Sequence, residues 1–198
     1  MTRIPSPAAC HGTVAVSGLD QVRLRPLVEG ETQVLEKVFA GMSATSRYFR
    51  YLAGISRLSG AMVDLLTAVD GMRHAAWVAL AAGEPVGIGR YVSVPGSPRT
   101  ADIAVEVVDD HQRRGIGTAL VEAVTITALD HGIVRLAATL DPDNHASRAL
   151  LSRFGARIRV TDGVAEASGA LRVPPPGVLD PGRVRGLCRH CAGDMAAA

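Results

Sequence analysis

The stretch Ile103–Leu120 reads I-A-V-E-V-V-D-D-H-Q-R-R-G-I-G-T-A-L. It starts as a Val- and Ile-rich run of strand character that stops at Asp109-Asp110, and a segment with helical spacing opens after the glycines. The order is strand, turn, helix. Between the two lies Gln112-Arg113-Arg114-Gly115-Ile116-Gly117. A loop that brings successive N–H groups close to one anion cannot carry β-carbons at the point of approach, and Gly115 and Gly117 carry none. The first turn of the following helix, with Thr118, adds unpaired N–H groups and the positive end of the helix dipole, so the junction suits a pyrophosphate. Arg113 and Arg114 add cationic charge. The third glycine and distal acid of a dinucleotide fingerprint are missing, as is the G-K-[ST] of a Walker loop. A purely steric turn is the competing reading of these residues alone.

Outward from this junction the patterns predict one mixed α+β domain over residues 13–173. Ala75–Leu80 and Pro85–Val94 are apolar on both faces around Ala82-Gly83-Glu84, as expected of a central hairpin covered by helices, and Ala101–Val108 completes an antiparallel trio. Thr13–Ser17 and Gln21–Pro26 predict edge strands. Helical spacing appears from Glu29 to Gly41 with Val34, Leu35, Val38 and Phe39 on one face. A second helix follows the capping hydroxyls of residues 43–46 and runs through Leu52, and a third covers Ser59–Val69 with Met62, Leu65 and Leu66 inward. The aromatic run Ser46–Tyr51 reads either as helix packing or as a wall of an acceptor pocket. Downstream, Gly117–His131 predicts a helix with Leu120, Val121, Val124 and Leu129 as its core face, and Val134–Leu140 a strand. A helix capped near Asn144 and ending at Gly155 precedes two closing strands, Arg157–Val160 and Ala165–Leu171. Residues 1–12 read as a flexible N-terminus, and residues 174–198, opening on three prolines, as a disordered C-terminal tail.

A chain of 198 residues supports one core. The net charge of +2 is spread along it and only 4% of residues are aromatic, so neither an electrostatic footprint nor a stacking platform for nucleic acid is expected. No apolar run approaches about 20 residues and no leader pattern opens the chain, which predicts a cytoplasmic protein without a membrane partner. The cysteines, Cys10, Cys188 and Cys191, make no disulfide framework. Cys188-x-x-Cys191 with His190 falls short of the four ligands of a structural zinc site, so no metal is expected.

Gln112 to Gly117 resembles motif A of the GNAT N-acetyltransferase superfamily, Q/R-x-x-G-x-G/A. Asn144 to Ala156 resembles its motif B, N-x-x-S-x-x-L-(Y)-x-x-x-G. A narrower likeness, on Val22–Pro26, Ser46-Arg47-Tyr48, Ala101–Ala104, Gln112–Gly117 and Arg153–Ala156, is to the catalytic domain of bacterial protein lysine acetyltransferases of the Pat type. The resemblance implies a central, mostly antiparallel sheet splayed at strands 4 and 5 and flanked by helices. It implies that residues 112–118 hold the pyrophosphate of acetyl-CoA and that Asn144 bonds the pantetheine arm. The family's frequent tyrosine, a general acid toward the leaving thiolate, falls at Leu151 and is absent.

Asp102, Ala104 and Glu106 share one face of their strand by the two-residue period. In the lysine acetyltransferases the base is a glutamate in A-E-I, matched here by Asp102, one methylene shorter. Either Asp102 or Glu106, directly or through water, is a candidate to deprotonate an amine, and two acids on one face are expected to raise each other's pKa. The competing reading is a pair of solvated or ion-paired strand residues. A bulge is expected to free the N–H of Val107 or Val108 to polarise the thioester carbonyl, and the strand edge to bond the pantetheine amides. His111 and His145 read as surface residues. The expected function is acetyl transfer from acetyl-CoA to a primary amine, with protein lysine as the leading acceptor and a second copy of the chain as a further partner. A small-amine acetyltransferase and a non-catalytic acyl-CoA sensor are the alternatives.

Overall fold

In the computed structural model, which describes residues 12–196, strands β1 (Val14–Val16) and β2 (Leu19–Pro26) come first, followed by helices α1 (Thr32–Ala40), α2 (Ala44–Tyr51) and α3 (Gly60–Thr67). The predicted hydroxyl caps form: Ser43 Oγ accepts from the Ser46 amide and Ser59 Oγ from the Met62 amide. Strands β3 (His74–Ala81), β4 (Glu84–Val94) and β5 (Ser97–Val107) then run antiparallel, each against the last. Helix α4 (Ile116–Asp130), strand β6 (Arg135–Leu140), helix α5 (His145–Arg153) and strands β7 (Ala156–Thr161) and β8 (Val164–Ala170) complete the sheet, ordered β1-β2-β3-β4-β5-β6-β8-β7.

Every neighbouring pair is antiparallel except β5–β6, which is parallel and very short, joining only Thr100–Asp102 to Arg135–Ala137. Beyond Asp102 the two strands part. With the short edge strand β1 left out of the count, this is the splay expected at strands 4 and 5. Register sets what faces the opening. The Val108 amide donates to the Val86 carbonyl at 2.9 Å, so even-numbered residues of β5 bond to β4 and odd-numbered ones turn the other way. Past the end of the β6 pairing, the backbone groups of Val105 and the N–H of Val107 therefore face a gap.

Helix α4 lies on β4 because that strand carries glycine where the helix approaches. A β-carbon on Gly89 would stand 3.0 Å from Leu120 Cβ, and one on Gly87 would stand 3.1 Å from Leu120 Cδ1. Two assignments of inward faces are corrected. On α3, Leu65 is 70% exposed and Val63 and Thr67 are buried instead, a slip of one position round a helix of two turns. On α4, Leu129 turns outward and Ala119–Ala128 are buried on every side.

That burial has a cause the composition of residues 174–198 hides. Where a disordered tail is expected, Pro181–Ala196 form helix α6, which packs beside α4 and reaches β2 of the sheet. Leu179 and Val184 are buried there. Glu122, in the middle of α4 and 1% exposed, accepts hydrogen bonds from the amides of Val178 (2.9 Å) and Leu179 (3.0 Å). A carboxylate buried on α4 is thereby satisfied by backbone donors. Residues 1–11, which include Cys10, lie outside the described residues.

Candidate active site at the strand opening

A groove of about 1040 Å³ runs along the opening, walled by α2, β5, the 112–118 loop, the end of β6 and the start of α5. At one end is the loop. Arg113 adopts φ +61° and Gly115 φ +87°, so the chain turns left-handed twice before α4 begins. The first intrahelical bond runs from the Ala119 amide to the Gly115 carbonyl at 3.1 Å, which leaves the amides of Ile116, Gly117 and Thr118 without helical acceptors. Gly117 has another kind of freedom. It is helical, and a β-carbon there would meet only ordinary contacts, Leu150 Cδ2 at 3.6 Å being the nearest. Neither conformation nor protein packing demands a glycine at that point, and the space beside it opens to the groove. Free amides, an adjoining cationic side chain and open space make a cradle that fits a diphosphate.

The other expected binding residues divide. Gln112, Arg113, Gly115, Gly117, Thr118, Val107 and Asn144 line the groove, whereas Arg114, Ile116 and Val108 do not. Ile116 is buried and pins the loop to the core, contributing only its amide. Val108 N–H is occupied by Val86, and the β4–β5 register shifts between Ser93 and Val94 rather than near Val107. The free amide of Val107 arises because β6 departs, not from a bulge. The Gln112 side chain is an internal tie: Nε2 reaches the Val107 carbonyl (3.0 Å), Ser46 Oγ (3.1 Å) and Asp109 Oδ1 (3.2 Å), fastening α2 and β5 to the loop. Asn144 caps α5 through Oδ1, which accepts from the Ser147 amide at 3.0 Å, so its side-chain NH₂ is what it can offer a ligand.

The two acids also separate. Glu106 is buried, with Arg50 Nε 2.8 Å from Oε2, Arg90 Nη2 3.5 Å from Oε1 and the Tyr51 hydroxyl donating to Oε2 at 3.2 Å. Burial, and then the negative charge of Glu106, push the Tyr51 phenol well above the usual tyrosine range, so it remains protonated. Asp102 is open to the groove at the residue where β5 and β6 part. The groove walls strip part of its hydration and push its carboxyl above the ordinary range, while the charge of Arg50 pulls the other way. Glu106, with two guanidiniums against it, is not among the groups that move Asp102, which responds to desolvation, to Arg50 and to a backbone hydrogen bond at Ile103.

Arg50 and Tyr51 belong to the aromatic run whose role was open between packing and pocket wall. Both roles occur. Arg47 stacks on Phe39 with its guanidinium carbon 4.3 Å from the ring centre, whereas Phe49, Arg50 and Tyr51 line the groove. Leu151, at the place of the family's tyrosine, is buried. His145 is exposed at the groove margin, and His111 is half-buried outside it. Among the described residues no cluster of three or more His, Cys, Asp or Glu could hold a metal, and no helix is long and apolar enough to cross a membrane.

Residues 48–156 match the model of the acetyltransferase (GNAT) family. Acetyltransferase Pat of Mycolicibacterium smegmatis is 29% identical over 154 residues, which cover 77% of this chain and 46% of that protein, so this chain spans about half the length of that relative. An acetyltransferase of Pseudomonas aeruginosa is 30% identical over 155 residues, 75% of this chain and 83% of its own. The solved GNAT domain of Streptomyces lividans PAT superposes with a TM-score of 0.73 at 28% identity, covering 84% of this chain and 100% of that domain. With the splayed sheet, the amide cradle and the match across residues 48–156 in agreement, the chain belongs to the acetyltransferase (GNAT) family.

Proposed function

We propose that this chain is an acetyl-CoA-dependent N-acetyltransferase acting on a primary amine, with the lysine side chain of a protein as the leading acceptor class. The observation that carries this reading is the opening between β5 and β6, whose unpaired backbone edge leads to the amide cradle of residues 113–118. Acetyl-CoA supplies the acetyl group, activated as a thioester. The cradle amides and Arg113 are the groups to hold its diphosphate, Asn144 offers an amide donor, and the free edge of β5 at Val105 and Val107 matches the pantetheine amides as an added strand.

An alkylammonium in water has a pKa near ~10.4 and carries no lone pair, so the acceptor must first lose a proton. Asp102 is the group placed to take it, directly or through a water. The neutral nitrogen then attacks the thioester carbon; the C–N bond forms, the C–S bond breaks, and the sulfur leaves as a thiolate that takes up a proton. The Val105 N–H, on the same free edge and nearer Asp102, is available to polarise the carbonyl under attack, which leaves the Val107 N–H to the pantetheine arm. Glu106 holds α2 against β5 through Arg50 and Tyr51 rather than moving a proton. Cys188 is packed beside Thr127, with Sγ 3.3 Å from Oγ1, so direct transfer needs no cysteine nucleophile.

Leu151 favours one second reading, an acyl-CoA sensor, because the buried leucine supplies no acid. A thiolate leaving group with a thiol pKa near ~8.5 needs little help at neutral pH, and this weighs toward the enzyme. The test incubates the full chain with acetyl-CoA and panels of lysine peptides and small amines, following thiol release and the mass of each acceptor. Binding of acetyl-CoA without thiol release on any amine would leave the sensor.

A further inference from the structure

At the acceptor end of the groove two opposite charges face each other without pairing. Arg50 has its Nε 2.8 Å from Glu106 Oε2, but Glu106 is shared with Arg90, so one carboxylate stands between two guanidiniums. The buried Nε of Arg50 lies at ion-pair distance from Glu106 without a hydrogen bond, and the terminal nitrogens, on a groove-lining side chain 14% exposed, donate to no acceptor among the described residues. Its guanidinium is held at the root, with its carbon 4.9 Å from the Tyr51 ring centre, and free at the fork. Asp102 lines the same groove and feels the charge of Arg50, but the two form no ion pair. The charged and titratable groups facing Arg50 are Glu106 and Asp102 from β5, Arg90 from β4 and Tyr51 from α2 itself.

A guanidinium fork held at its root by a carboxylate and presented to a groove is a ready site for an anion, and its planar donors match a carboxylate. An amine held by Asp102 leaves that fork within the same groove. We infer that the acceptor carries a carboxylate beside its reacting amine, and that Arg50 selects it. The inference rests on the transferase reading above and narrows its substrate class. Two sources supply that chemistry: an acidic residue next to the reacting lysine of a protein, or the α-carboxylate of a free amino acid. A site built to bond a carboxylate discriminates against an acceptor that lacks it, because such an acceptor displaces water from the fork and returns no hydrogen bond.

The experiment compares matched pairs on the full chain: a lysine peptide with flanking glutamates against the same peptide with glutamines, and free lysine against lysinamide. Thiol release gives KM and kcat; calorimetry on protein loaded with coenzyme A gives binding where no thiol is released. In one of the pairs the carboxylate member should show a KM or Kd lower by tenfold or more, with kcat nearly unchanged. A preference in the peptide pair assigns a protein acceptor, and in the other pair a free amino acid. Arg50→Gln should bring the ratio close to one and Arg50→Lys should restore part of it. Equal KM and Kd within both pairs on the unmodified chain would overturn the inference, whatever the variants do. Absence of thiol release throughout, with the binding preference intact, would instead overturn the transferase reading alone.

Discussion

Replacing Gly115 by alanine separates what the cradle needs in backbone conformation from what it needs in space. Gly115 has φ +87° and ψ −9°, and a β-carbon there would meet nothing nearer than Leu19 Cδ1 at 3.6 Å. The cost is therefore conformational, about 1–2 kcal/mol for an L-residue held left-handed. For a chain of this size that lowers the Tm by about 2–8 °C. If alanine escapes the strain by moving to negative φ, the peptide units on either side rotate and the amides preceding α4 no longer converge. Each charge-assisted bond lost to the diphosphate removes about 1.5–3 kcal/mol, so the Kd for coenzyme A should rise about tenfold to 100-fold. Gly117→Ala is the converse: its φ is helical and its β-carbon meets ordinary protein contacts, so stability should stay near that of the unmodified chain, while the β-carbon takes up cradle space and weakens coenzyme A binding. Thermal unfolding of the free protein and calorimetric titration with coenzyme A read the two effects apart. A Gly115→Ala protein that neither unfolds at a lower temperature nor binds coenzyme A more weakly would falsify the role given to the loop.

Three further outcomes follow from the same geometry. Glu122→Ala leaves the Val178 and Leu179 amides unpartnered beside α4 and should cost roughly 2–6 kcal/mol in urea unfolding; a loss under about 1 kcal/mol would mean that residues 178–179 do not bear on stability. Glu106→Gln breaks a buried pair shared by Arg50 and Arg90 and should destabilise by about 3–5 kcal/mol, with turnover per folded molecule largely kept. Turnover abolished in a stably folded Glu106→Gln protein would make that residue the base. Burial raises the Asp102 carboxyl, so its folded pKa lies above its unfolded one. The proton it holds favours the fold below the unfolded pKa, and that contribution is lost as pH rises through the folded value. Asp102→Asn should therefore unfold at a higher temperature near pH 7, with the gain fading in acid, while the acid limb of the pH–rate profile disappears. An unchanged acid limb would remove Asp102 from proton transfer.

Much of the fold is legible in local pattern. The apolar runs at 75–80, 85–94 and 101–108, the serines before α2 and α3, and the glycines at 115, 132 and 155 mark element types and ends through propensity, capping and turn chemistry, all short-range effects. The loop at 112–117 was readable for the same reason, since a left-handed turn leading into a helix is written in adjacent residues. What escaped depends on partners distant in sequence. Nothing near Glu106 announces that Arg50 and Arg90 will enclose it, and nothing near Val108 that its amide belongs to Val86. Helix α6 is the instructive omission. Its own residues are rich in Gly and Arg, yet Val184, Leu187, Cys188 and Cys191 recur at i, i+3, i+4 and i+7, and α4 carries a second signal: Ala119 to Ala128 have apolar residues on every face, and such a helix needs covering on both sides.

The cover that α6 lays over α4 decides where the chain can be cut. Trimming to residues 48–156, or stopping after Val173, would strip Leu179 and Val184 from their seats and leave Glu122 as a lone carboxylate among alkyl groups. The shortened protein would present an oily helix flank to its own copies, and clumping at that flank, rather than any fault in the chemistry, is what its poor behaviour would record.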